Sequence, residues 1–258
     1  LAADFTRFND AHLRGKVNGS DPVPTLISQT DGAQHLAHRA LDVLTTLNAQ
    51  SMYYSADIRA VFARVRQLAH LATDAADHLI AAEEILRNTQ AGLPIELGDD
   101  FLAVLTPAQA RQEAGQRFTL VAELMALGSL DAVTAAELYV ADRRHRGYEP
   151  DHQPPALSRT QLTALREIAR GQVTISEGRT FLPGDDIRVS ISTFRSLETR
   201  GLVAREPCPL WLHDERAHLT PGGYRDLAAT FGRPRPPSPT AARPTATQTT
   251  KAARAATR

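Results

Sequence analysis

Cysteine is almost absent from this chain of 258 residues. Cys208 stands alone, which excludes an intrachain disulfide framework and a cysteine-only zinc site. Lysine is nearly missing too, with only Lys16 and Lys251 beside 27 arginines. Aromatic residues make up 5%, so the core must be filled mainly by Ala, Leu, Ile and Val. No uninterrupted apolar run reaches the roughly 18 residues of a spanning helix, and no basic segment leads into an apolar one in the manner of a secretory signal. Phosphate loops, nucleophile elbows and His-Glu-x-x-His zinc signatures are all lacking. These absences point to a cytoplasmic protein, neither membrane-bound nor an enzyme, with no cofactor.

What is present is an ordinary globular composition, 42% apolar and 22% charged, hiding a charge split. Formal charge is zero overall, yet residues 1–150 carry 13 basic and 19 acidic side chains and residues 151–258 carry 16 and 10. A basic half can meet a polyanion while the acidic half avoids it. Composition divides the chain into five zones. Residues 1–24 end in Asp-Pro-Val-Pro and read as a lead-in segment. Residues 25–146 are helical in pattern, residues 147–157 hold three prolines and read as a linker, and residues 158–231 form a compact mixed segment. Residues 232–258 have five prolines, six basic residues, and neither acidic nor aromatic residues, the composition of a disordered basic tail. Such a tail would either add phosphate contacts or simply aid solubility.

The fold class expected is mainly α: an N-terminal helical bundle or long helical hairpin, followed by a C-terminal α+β unit. In the helical zone, Leu36, Ala37, Ala40, Leu41, Leu44 and Leu47 make one apolar stripe on a helix over about 26–50. A second helix is expected to start at Ser55 as N-cap and run to about Asn88, with a stripe from Ile58 and Val61 to Ile85 and Leu86. Its length, roughly 45–50 Å at 1.5 Å per residue, calls for an antiparallel partner or a dimer seam. Thr106-Pro107 opens a third helix that Gly128-Ser129 should end, and Asp131 opens a fourth.

From Ser158 the pattern changes. Ser158 caps a helix bearing Leu162, Leu165, Ile168 and Ala169, stopped at Gly171. Two short runs, Val173-Thr174-Ile175 and Thr180-Phe181-Leu182, flank Ser-Glu-Gly and predict a hairpin. Ser190 then opens a helix over about 190–201. Ile191, Phe194 and Leu197 lie at i, i+3 and i+6 and should face inward, leaving Ser192, Thr193, Arg195, Ser196 and Arg200 outward. Small hydroxyl residues and arginines suit a major groove: small residues let the backbone approach, and Arg offers bidentate donors to guanine or phosphate.

The run Ser196-Leu197-Glu198-Thr199-Arg200-Gly201-Leu202-Val203-Ala204-Arg205-Glu206, followed by Ala217-His218-Leu219-Thr220-Pro221-Gly222-Gly223, resembles the second half of a winged helix-turn-helix domain of the MarR-like kind. The resemblance covers roughly residues 158–231. It implies a recognition helix at 190–201, a wing from Glu206 to Glu215, and a returning strand from Arg216 to Thr220. The family also places a helix before the recognition helix; here residues 172–186 read as strand and turn, so either a short helix lies around Pro183 to Ile187 or a hairpin replaces it. The implied partner is duplex DNA, and the implied contacts are Arg188, Ser190, Ser192, Thr193, Arg195, Ser196, Arg200, His213 and Arg216. One recognition helix spans few base pairs, so a homodimer through the helical half is expected. The function expected is therefore sequence-specific DNA binding, as in a transcriptional regulator. The alternative is an interaction scaffold of a phage, plasmid or defence system, with the winged helix as a docking module.

Two other groups of residues are weighed against this reading. His70, Asp74 and His78 recur at i, i+4 and i+8, with His35 and His38 on the preceding helix; a solvated polar face accounts for them better than a metal does. Trp211 is expected to pack at the base of the wing, and Cys208, between two prolines, to be inert.

Overall fold

The computed structural model describes residues 1–18, 23–96, 102–149, 151–182, 189–208 and 214–233. It is mainly helical with a small β component in the C-terminal part, as the composition and periodicity anticipate.

The long apolar stripes set the helical part. Helix α2 (Val23–Asn48) and helix α3 (Ala56–Gln90) pack together, and α3 packs against α4 (Pro107–His145) along most of its length. The Ser55 hydroxyl accepts from Ile58 N at 3.0 Å, the expected N-cap, and donates to Asp142 at 2.6 Å, tying the start of α3 to the end of α4. Arg64 of α3 and Asp131 of α4 form an ion pair in the same antiparallel sense. A two-residue ribbon, β1 (Ile95–Glu96) with β2 (Leu102–Ala103), lies between the two helices. Thr106 and Gln109 close a capping box on α4, with Pro107 in its first turn.

Two expectations fail here. Gly128-Ser129 does not end a helix: α4 runs unbroken for 39 residues, with both residues buried. The reason is tertiary. A Cβ on Gly128 would lie 2.1 Å from Phe5 Cδ1, so the glycine is the notch that receives a fully buried ring. The segment 1–24 is no lead-in either, because residues Ala2–Asn18 form helix α1. Phe5, Thr6, Asp10 and His12 are buried on it, at helical spacing. The ring nitrogens of His12 meet Gln29 Oε1 on α2 and the Phe118 carbonyl on α4, each at 2.8 Å.

Helix α4 also holds an 18-residue window of mean hydropathy 1.4, long and apolar enough by those two measures to cross a membrane, and a third of it is buried. Its buried side packs on α1 and α3. Leu120, Leu127 and Leu130 remain exposed on it.

Beyond residue 158 lies a second core. Helix α5 (Arg159–Ala169), strands β3 (Thr174–Ser176) and β4 (Arg179–Phe181), helix α6 (Ile191–Thr199), strands β5 (Val203–Pro207) and β6 (Glu215–Leu219), and helix α7 (Pro221–Ala228) follow in order. The sheet runs β4-β3-β6-β5 and every pairing is antiparallel. Leu165, Ile168, Ile175, Phe194, Leu197 and Leu227 fill the core, and Ala2 and Val133 from the helical part join it. A hairpin therefore occupies 174–181; the possible short helix around Pro183 to Ile187 lies outside the described residues.

Candidate nucleic-acid interface

Helix α6 is placed by its inward residues and its two ends. Phe194 and Leu197 are fully buried, and Ile191 packs at their edge. Ser190 is the N-cap, its hydroxyl accepting from Thr193 N at 3.1 Å and lying 2.9 Å from Ser192 Oγ and 2.8 Å from Thr193 Oγ1. At the other end Gly201 takes φ +69°, a left-handed conformation that stops the helix and feeds β5. The outcome is a short, firmly seated helix whose outward face carries Ser192, Arg195 and Thr199 at i, i+3 and i+7, all exposed.

Glu198, the only carboxylate on this helix, is cancelled. Arg205 of β5 grips it fork to fork, Nε to Oε1 at 2.8 Å and Nη2 to Oε2 at 3.0 Å, and reaches Glu215 at 3.2 Å. The Arg205 hydrogen bonds hold the Glu198 carboxyl below its ordinary range. Arg205 itself stands 5.1 Å from the centre of the Phe194 ring. Arg195, by contrast, makes no ion pair among the described residues, and Arg200 spends only one bond, to the Ala156 carbonyl at 3.1 Å. Two guanidinium groups are thus presented beside a neutralised acid.

The wing hairpin is β5 and β6, in register from Val203 opposite Leu219 to Pro207 opposite Glu215. Asp214, which in sequence looks hostile to phosphate, accepts from the Ser176 hydroxyl at 3.0 Å, and Glu215 is shared with Arg205. At the base of the wing, Arg7 of α1 donates to both Glu206 oxygens at 2.8 and 2.6 Å, and Arg14 reaches the Pro207 carbonyl. The Arg7 hydrogen bond holds Glu206 below its ordinary range.

The expected contacts therefore divide. Ser190, Ser192, Arg195 and Arg200 are exposed on one helix, with Thr193 half-buried beside them. Ser196 is taken by Gln161 Nε2 at 3.0 Å and holds α5 against α6 rather than facing solvent. Arg188 and His213 lie outside the described residues, as does Trp211. Arg216 needs correction: it is buried, its guanidinium bound to both oxygens of Asp10 at 2.7 and 2.8 Å and to the Gly171 carbonyl. It ties α1 to the wing and cannot reach a groove. Sequence reading missed Arg7, Arg14 and Asp10 as partners of the wing; Leu1, Phe5, Phe8 and His12 at helical spacing were the available signal.

His70 and Asp74 are exposed on α3, and among the described residues no three His, Cys, Asp or Glu side chains come together as a metal group. Searched against family models, curated proteins and solved structures, the chain matches none of them.

Proposed function

We propose that the chain is a sequence-specific duplex-DNA-binding protein, a transcriptional regulator whose helix α6 enters the major groove. The observation that carries this reading is the outward face of α6: Ser192 and Arg195 exposed along it, Arg200 at its end, and Glu198 held by Arg205. Small residues permit close approach, and a free guanidinium supplies the bidentate donor that guanine or phosphate accepts. Strands β5 and β6 act as the wing, with the base fixed to α1 through Arg7 and Arg216.

The protein works as a homodimer through its helical half, since paired recognition helices read two half-sites. Exposed Leu120, Leu127 and Leu130 on α4 support this, being the kind of apolar surface that a second copy covers. A cytoplasmic setting without catalysis or cofactor suits the role.

Titrating labelled duplex DNA with the protein at several salt concentrations tests it. Loss of a base contact by Arg195→Ala or Arg200→Ala is expected to cost about 1–3 kcal/mol, or roughly 5- to 150-fold in affinity. Loss of a phosphate contact instead lowers the salt slope by about one unit. Unchanged affinity and slope in both variants would overturn the assignment of α6. No binding at low salt would favour an interaction scaffold.

A further inference from the structure

A cleft of about 450 Å³ separates the helical part from the hairpin unit. Its volume lies within the roughly 300–1,000 Å³ typical of small-molecule sites. One wall comes from α1 and α4, with Asn9, Leu13 and Met125; the other comes from the end of α5 and the β3–β4 hairpin, with Arg170 and Leu182. Two polar atoms on these facing walls are buried and lack a hydrogen-bond partner: Asn9 Oδ1, an acceptor, and Arg170 Nε, a donor. Buried polar groups are nearly always satisfied, so a pair left over in one cleft needs a reason.

Charge narrows what can fill the cleft. Both arginines that line it are already compensated, Arg216 by Asp10 at 2.7 Å and Arg170 by Glu167 at 3.0 Å. An anion would meet the Asp10 carboxylate, and a cation would meet two guanidinium groups. Neither finds an unpaired counter-charge, and burying an unpaired charge is costly. The Leu13, Met125 and Leu182 side chains offer apolar surface for the rest of an occupant.

We propose that this cleft binds a small uncharged molecule with an amide- or lactam-type edge on an apolar body. The ligand N–H donates to Asn9 Oδ1, and its carbonyl accepts from Arg170 Nε. Because those two groups sit on opposite walls, an occupant bridges α1 to the hairpin unit. It also packs on Leu182, the last described residue before the segment leading to α6. The site stands on the cleft and its polar atoms, independent of the DNA reading.

The test uses the full chain without DNA, with ligand-observed NMR titration of two probes, benzamide and δ-valerolactam. N,N-dimethylbenzamide, which accepts but cannot donate, and benzoate, which is anionic, are the controls. Saturable binding of both probes is expected, at least about 10-fold tighter than either control, the size of one lost hydrogen bond. Asn9→Ala should weaken binding by a similar factor. Ala126→Trp, which fills the cleft from an exposed position on its α4 wall, should abolish binding while the melting temperature is kept. Absence of saturable binding overturns the proposal. So does equal binding of the controls, or binding that survives Ala126→Trp. A polar pair satisfied only by water gives the first of these results. Because no DNA is present, such a failure leaves the assignment of α6 untouched.

Discussion

Replacing Asp10 by Asn leaves the shape of helix α1 intact and strands a buried cation. The Asp10 and Arg216 side chains are 7% and 10% exposed, and two hydrogen bonds of 2.7 and 2.8 Å join them. Arg216 also donates to the Gly171 carbonyl, so its guanidinium is fixed whether or not Asp10 is charged. Removing one partner of a buried pair typically costs about 3–5 kcal/mol, because the other charge stays desolvated. For a chain of this size each kcal/mol moves the melting temperature by about 2–4 °C, so Asp10→Asn should lower it by roughly 6–20 °C. Chemical unfolding followed by far-UV circular dichroism gives the free energy directly. The double variant Asp10→Leu with Arg216→Met should recover much of the loss, since well-packed apolar groups often replace a buried pair without penalty. A residual cost of about 1 kcal/mol is expected from the orphaned Gly171 carbonyl. If Asp10→Asn cost less than about 1 kcal/mol, the pair would be behaving as an exposed one. The claim that α1 is integral to the fold would then fail.

The notch at Gly128 gives a second prediction: Gly128→Ala places a Cβ 2.1 Å from Phe5 Cδ1 and should destabilise by about 1–3 kcal/mol, with Phe5→Leu in the same chain relieving part of it. A cost below about 0.5 kcal/mol in a thermal melt would mean that Phe5 does not sit there. His218 supplies a pH dependence. Burial holds its imidazole below the ordinary value of about 6.5, with Glu206, Arg7, Asp10 and Arg216 as the charges around it. As pH falls below about 6.5, the unfolded chain takes up a proton that the folded one refuses, so stability is full above that pH and declines beneath it. His218→Gln should flatten the decline between about pH 6.5 and 5, and identical slopes would refute the assignment. Glu198 and Glu206 act later: held low by Arg205 and Arg7, they contribute above the ordinary glutamate value of about 4.3, and that contribution is lost as pH falls through their lowered folded values.

Local signals were legible where local physics decides. The Ser55, Thr106, Ser158 and Ser190 caps form as their sequences suggest, because a hydroxyl before a helix has few other uses. The α3 stripe is buried almost residue for residue, since periodicity over many turns leaves little freedom of orientation. Failures cluster where a distant residue decides. Gly128 followed by Ser129 is a stop signal in isolation, and only the Phe5 ring, more than a hundred residues away in sequence, turns it into a packing notch. Arg216 shows the same effect on a strand. Its neighbours suggest an alternating hairpin with one wet face, but β6 is an inner strand buried from Arg216 to Leu219, with α5 packed against it and Asp10 of α1 reaching Arg216. Ser196 was placed outward correctly by angle, yet Gln161 captures its hydroxyl. The cleft between α1 and the hairpin unit was invisible, because one of its walls is a helix that the Asp-Pro-Val-Pro ending disguised.

The most direct measurement is selection of duplex DNA from a random library by the purified full chain, at low and at near-physiological salt. The α6 reading predicts an enriched motif that survives the higher salt, arranged as an inverted repeat with half-sites about one helical turn apart. Retention at low salt without a motif, or no retention at all, would contradict sequence-specific recognition by this helix.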